Sequence, residues 1–230
     1  MEEPYIRLRQ FHGFVMKQKE TEMSTLLVLD TSPRRDAASR QLTENFVTAW
    51  SEKHPDGRNI HRDVGANPPE HLVDELIEAL RKQPETLTQR QIAARESSDS
   101  MIAEIMQADA VVIGAPMHNF TVSGALKGWL DHIARPSKTF GYDPEKGPVG
   151  LLEDKPVYVI STRGGDYGDG DPDNPHPADF QTGYLRFVLG FVGLKDVHVI
   201  AANGLDMGDE KRAEGPKKAN EKIGSITAAA

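Results

Sequence analysis

The chain has 230 residues, 27 lysines and arginines against 35 acidic residues, a net charge of -8 and no cysteine. A surface this acidic is not built to neutralise nucleic-acid phosphates, and the missing thiols exclude disulfides, thiolate metal sites, iron–sulfur clusters and a catalytic cysteine. The length suits one α/β domain with a sizeable core, and no run of about 18 apolar residues offers a membrane span.

In chain order, residues 1–22 lack the continuous apolar core of a signal peptide. They are expected to form a disordered extension, and an upstream start codon would account for them, Met23 then being the natural first residue. Residues 23–230 are expected to form a single domain. Thr25 to Leu29 is a short apolar run followed by Thr-Ser-Pro, the pattern of a doubly covered parallel strand. Leu42, Phe46 and Trp50 recur every four residues and predict a helix over 39–53. Asn59 to Val64 reads as a weaker second strand. Two helical stretches follow, 68–87 and 88–108, the latter carrying Ile92, Ile102, Ile105 and Met106. Ala110 to Gly114 is the third strand, and Leu126, Leu130 and Ile133 mark its helix. A polar Gly/Pro loop over 139–155 leads to a fourth strand at 156–161. A helix over 179–194 holds Tyr184, Phe187, Val188 and Phe191, a fifth strand spans 197–201, and an amphipathic helix closes the chain at 209–226. Strands alternating with helices predict a parallel sheet wrapped on both faces.

In such a sheet the loops after strands one, three and four emerge at the carboxyl edge, where open α/β sheets bind ligands. The first, Thr31 to Ser39, brings hydroxyls and free backbone amides to a helix start, which is the chemistry of a phosphate cradle. Simple capping by Ser39 would account for that serine but not for Ser32. The loop lacks the Gly and Lys positions of GxxxxGK[ST] and is not GxGxxG. After strand three, Met117, His118, Asn119 and Phe120 offer apolar surface, amide donors and an acceptor to a flat heterocycle such as a flavin. The competing reading is a turn that merely ends a strand, with Phe120 buried as core. After strand four, Thr162, Arg163, Gly164 and Gly165 let backbone approach a ligand closely. The tract DYGDGDPD, 166–173, fails the calcium-loop pattern and reads as a solvated loop. The eight histidines form no HExxH pair, so no metal site is expected, and His132 and His176 read as surface residues. No GxSxG supports covalent hydrolysis.

Taken with the motifs APMHNF, LKGWLDHI, GPVGLL (147–152), TRGG (162–165) and YLRFVLGFVGL (184–194), the sequence resembles the FMN-dependent NADH azoreductase and quinone oxidoreductase family. The resemblance implies a flavodoxin-like α/β fold, a doubly wound five-stranded parallel sheet of order 2-1-3-4-5. It implies that Ser32, Ala37, Ala38 and Ser39 hold the FMN phosphate, that Met117, His118, Asn119 and Phe120 line the isoalloxazine, and that Thr162, Arg163, Gly164 and Gly165 close its other side. Phe120, Phe140 and Tyr142 are implied at the substrate. The implied activity passes two electrons from NADH through FMN to quinones and aromatic azo compounds by a ping-pong mechanism, in a cytoplasmic homodimer that involves neither nucleic acid nor membrane. The alternative is a flavodoxin-type electron carrier without nicotinamide turnover, which the extra helices between strands two and three disfavour. Two departures stand out: His118 replaces the family's usual Tyr, and Thr162 its usual Ser. The phosphate loop also offers fewer hydroxyls than is usual, because Ala37 and Ala38 have none.

Overall fold

The computed structural model describes residues 24–80 and 86–229. The expected extension, 1–22 with Met23, and part of the stretch 68–87 lie outside the described residues. In order, the elements are β1 (Thr25–Asp30), α1 (Ala38–Lys53), β2 (Arg58–Asp63), α2 (Asp74–Ala79), α3 (Gln89–Gln107), β3 (Ala110–Pro116) and α4 (Gly124–Ile133). There follow β4 (Phe140–Asp143), β5 (Gly147–Gly150), β6 (Val157–Thr162), α5 (Phe180–Val192), β7 (Val197–Ala202) and α6 (Asp209–Ala229). Among the described residues no helix is long and apolar enough to cross a membrane.

Five parallel strands pair in the order β2-β1-β3-β6-β7, which is the expected 2-1-3-4-5 once the inserted β4 and β5 are set aside. Side chains alternate between the faces of a strand, and the strand residues divide accordingly. Leu27, Leu29, Val111, Ile113, Val157 and Val159 pack with residues of α3, α4 and α5 such as Ile105, Trp129 and Leu189. Leu26, Val28, Val112, Tyr158 and Ile160 face the opposite way, onto Leu42, Phe46 and Trp50 of α1 and Ile223 of α6. Both faces are therefore covered, which is why the central strands read as unbroken apolar runs.

Several local expectations are corrected. The stretch 139–155 contains an antiparallel hairpin, β4 with β5. The Asp143 carboxylate accepts from the amides of Glu145 and Lys146, each at 2.9 Å, and Gly147 takes φ +79, so a turn stood where the composition read as plain loop. Helix over 68–87 shrinks to Asp74–Ala79 among the described residues, because two prolines open the stretch and the Glu70 carbonyl is held at 2.8 Å by His132 Nε2. His132 is accordingly buried and structural, not a surface residue. Met106 is 56% exposed, and Met101 occupies the buried stripe of α3. On α5 the buried side chains are Leu185, Leu189 and Val192 with Gln181 and Thr182, whereas Phe187 is 74% exposed.

The acidic loop after β6 does more than meet solvent. Gly170 lies against the Val199 side chain, and Arg186 of α5 donates to the carbonyls of Val197 (2.5 Å) and Gly170 (3.3 Å).

At the other side of the sheet, Arg40 grips the Asp63 carboxylate with two nitrogens at 2.7 and 2.8 Å, and the Ala66 amide donates to it at 2.9 Å. The Arg40 hydrogen bonds hold the Asp63 carboxyl below its ordinary range, outweighing the desolvation that opposes them. A depressed folded-state pKa adds stability above the unfolded value, near pH 4, and that increment is lost as pH falls through the folded value. Asp63→Asn is therefore expected to cost about 1–2 kcal/mol at neutral pH. In urea unfolding, the gap between wild type and variant should narrow as pH drops below about 4. A gap independent of pH would contradict this assignment.

Candidate active site

β3 and β6 end level, Pro116 opposite Thr162, while β1 stops at Asp30 opposite Gly114, and the three following loops leave the same edge of the sheet side by side. The first is tied down at once. Thr31 donates its hydroxyl to the Gly114 carbonyl at 2.7 Å, and Ser123 donates to the Thr31 carbonyl at 3.1 Å. Ser32 is buried; its hydroxyl accepts from the Arg34 amide, and its carbonyl accepts from Arg40 at 2.7 Å. Gly65, which no sequence argument singled out, packs so closely behind that a Cβ would overlap the Ser32 carbonyl.

Ala37, not Ser39, is the N-cap of α1, and it provides no side-chain cap. The simple capping account of Ser39 therefore fails. Its hydroxyl is buried and has no hydrogen-bond partner among the described residues. A helix start without a side-chain acceptor, beside an unpaired buried hydroxyl, has the donor chemistry of an anion site.

The second loop is a two-residue hairpin. His118 and Thr121 exchange both backbone hydrogen bonds, at 2.9 and 3.0 Å, while Asn119 (φ +47) and Phe120 (φ +71) occupy the left-handed positions. A turn of this form favours Asn-Gly. Phe in the second position costs on the order of 1–2 kcal/mol of backbone strain. Phe120 is half exposed, at 50%, so the reading of Phe120 as core is excluded. Its ring meets Tyr167 edge to face, centroids 6.1 Å apart.

The third loop is built on a buried ion pair. The Arg163 side chain is wholly buried, 2.9 Å from Asp179, with further bonds to Ser161 Oγ (2.8 Å) and the carbonyls of Tyr167 (3.1 Å) and Gly168 (2.9 Å). Burial draws the guanidinium below its ordinary pKa, and the charge of Asp179 opposes that shift. Ser161 in turn donates to Gln181, whose amide donates to the Ala115 carbonyl at 3.1 Å. Asp179 also caps α5, accepting from the amides of Gln181 and Thr182. The guanidinium thus locks the TRGG segment to α5, and its charge is spent inside the protein.

These loops border one cleft of about 710 Å³. Ser32, Ala37 and Ala38 line one end; Met117, His118, Thr162, Arg163 and Gly164 line the remainder. Asn119, Phe120 and Gly165 belong to the same two loops without lining that volume, and Ser39 is buried in the first turn of α1. The segment after β7 supplies the residues that sequence reasoning missed. Leu205, Asp206 and Arg212 join the wall, with backbone bonds from Leu205 to Arg163 (3.1 Å) and from Asp206 to Gly164 (2.9 Å). The exposed Asp206 carboxylate stands 2.5 Å from where a Gly164 Cβ would be. Phe140 and Tyr142 lie apart on the hairpin. Phe140 packs on Phe191 at 4.6 Å, and Tyr142 is 61% exposed.

Comparison with known proteins agrees with this arrangement. The sequence model of a family described as having a flavodoxin-like fold matches residues 24–226. The FMN-dependent NADH:quinone oxidoreductase of Cellvibrio japonicus (strain Ueda107) is 44% identical, over 83% of this chain and 93% of its own. That of Shigella flexneri serotype 5b (strain 8401) is 43% identical over 90% of this chain and 100% of its own. Among solved structures, the azoreductase from Bacillus anthracis str. Sterne superposes with a TM-score of 0.79 at 26% identity, covering 90% of this chain and 100% of that one. The strand order, the three loops on one sheet edge and relatives this similar along nearly their whole length lead to one assignment: the chain belongs to the FMN-dependent NADH:quinone oxidoreductase family, of flavodoxin-like fold.

Proposed function

We propose that the protein is an FMN-dependent oxidoreductase that moves two electrons from NADH to quinones and aromatic azo compounds, with residues 23–230 acting as one FMN-binding domain. The observation that carries this reading is the single cleft bordered by three loops, an anion-type donor set at one end and flat, partly apolar surface at the other. Bound FMN supplies the redox chemistry. The chain supplies place and charge compensation. Ser32 and Ser39 offer hydroxyls to the phosphate, and Ala37 and Ala38 offer backbone, which suits a loop short of hydroxyls. Met117, His118, Asn119 and Phe120 take one border of the isoalloxazine; Thr162, Arg163, Gly164 and Gly165 take the other, Arg163 as the residue that fixes the segment. Phe120 shapes the substrate slot. No acid–base pair is required of the protein, and none of the residues here needs that role.

We also propose a cytoplasmic homodimer, placed where NADH is available. Phe180 (63% exposed), Phe187 (74%) and Tyr142 (61%) leave large apolar surface uncovered. A second copy would cover such surface, bringing Phe140, Tyr142 or the Phe180–Phe187 segment towards the partner's slot.

Anaerobic titration of FMN-loaded protein with NADH tests the reading. The flavin's visible absorbance should bleach stoichiometrically and return on addition of benzoquinone or an azo dye. Colour that persists under excess NADH would refute the assignment.

A further inference from the structure

We propose that Tyr167 is a specificity-determining wall of the acceptor slot, forming with Phe120 an aromatic corner that favours fused two-ring acceptors over single-ring ones. The inference rests on the flavin-dependent reading above and adds to it a residue outside the three loop motifs. Two loops of separate origin meet here: Phe120 follows β3, Tyr167 follows β6, and their rings stand at 85°. The Tyr167 ring lies across Gly165, with Cε2, Cζ and the hydroxyl oxygen 3.0–3.2 Å from where a Cβ would stand. It therefore rests on the TRGG segment and faces the opposite lip.

Its position is fixed from behind. The Tyr167 carbonyl accepts from buried Arg163, its amide donates to Asn203 at 3.4 Å, and the His176 ring meets it edge-on at 5.5 Å. Phe120 is fixed by its strained turn. Two rings held at right angles by independent restraints make a corner that loses little freedom when a ligand enters. A planar single ring seated beside Phe120 gains one aromatic contact. A fused second ring extends across the corner and gains the other.

The test compares Tyr167→Ala and Tyr167→Phe with wild type, all FMN-loaded, using naphthoquinone and benzoquinone as acceptors and FMN affinity as an independent readout. Tyr167→Ala should raise KM for naphthoquinone about fivefold to tenfold while changing KM for benzoquinone, and kcat for both, less than about twofold. Tyr167→Phe should restore the naphthoquinone value, since the ring and not the hydroxyl forms the wall. Equal changes for the two quinones, or no change for either, would overturn the proposal. So would a fall in FMN affinity matching the rise in KM, which would assign the ring to the cofactor. A wild-type protein whose bound flavin NADH does not bleach would instead defeat the underlying reading, and this inference with it.

Discussion

Arg163→Met is expected to cost about 3–5 kcal/mol of folding stability, the scale of leaving one member of a buried ion pair uncompensated. Asp179 would keep a charge in a site where its side chain is 2% exposed, with no cation at 2.9 Å to balance it. The loss spreads beyond the pair. Ser161 Oγ and the Tyr167 carbonyl lose the Arg163 donor together, and the Gly168 carbonyl keeps only the Asn203 amide. The backbone of the third loop would then be released from α5, so FMN affinity should fall with stability. Asp179→Asn keeps an oxygen for the α5 amides but removes the charge, and should cost less than Asp179→Ala. Because the two residues share a network, the double variant should be less destabilised than the sum of the singles. Urea unfolding and flavin fluorescence titration measure both quantities. A loss under about 1 kcal/mol in Arg163→Met would show that the pair contributes little.

The second large effect concerns a residue that touches no ligand in the proposed site. In Gly65→Ala the new Cβ meets the Ser32 carbonyl carbon at 2.5 Å and its amide nitrogen at 2.9 Å. These are backbone atoms, so no side-chain rotation relieves the overlap. Ser32 cannot retreat freely either, since Thr31 is tied to Gly114 and the Ser32 carbonyl to Arg40. The first loop must move, at a cost of about 1–3 kcal/mol for overpacking. FMN affinity should fall by about tenfold or more, as expected when phosphate donors are displaced. Gly124→Ala serves as the comparison, because nothing lies within 4 Å of its Cβ position. That variant should bind FMN normally. Equal behaviour of the two variants would show that the first loop yields without consequence.

Much of this fold was legible because buried parallel strands are written as continuous apolar runs, and β1, β3 and β6 keep that signature. Helix α4 was legible for a related reason, its stripe of Leu126, Leu130 and Ile133 being wholly buried. The stripe of α5 was legible apart from Phe187: Tyr184, Val188 and Phe191 pack against the core, together with Leu185 and Leu189, whereas Phe187 is exposed. The β4–β5 hairpin was hidden by glycine and proline, whose local meaning depends on the Asp143 turn. Within the site, the loop positions followed from strand order, but Gly65 and Gln181 carried no comparable local signal, and that of Asp179 was slight. Their importance comes from partners distant in sequence, 16 residues away for Asp179 with Arg163 and 66 for Gln181 with Ala115. Asp179 did have one readable cue, an aspartate immediately before an apolar helix.

The acidic loop that carries Tyr167 has a bearing on how the protein behaves in concentrated solution. β7 is the last strand of the sheet, and its outer carbonyls would otherwise stand ready to template a foreign strand. Arg186 occupies one of them and the Gly170 segment shields Val199. The far border, β2, carries Arg58, Arg62 and Asp63 instead. The two rims of the sheet are thus closed to foreign strands by different means, a folded loop with a helix arginine at one and charge at the other.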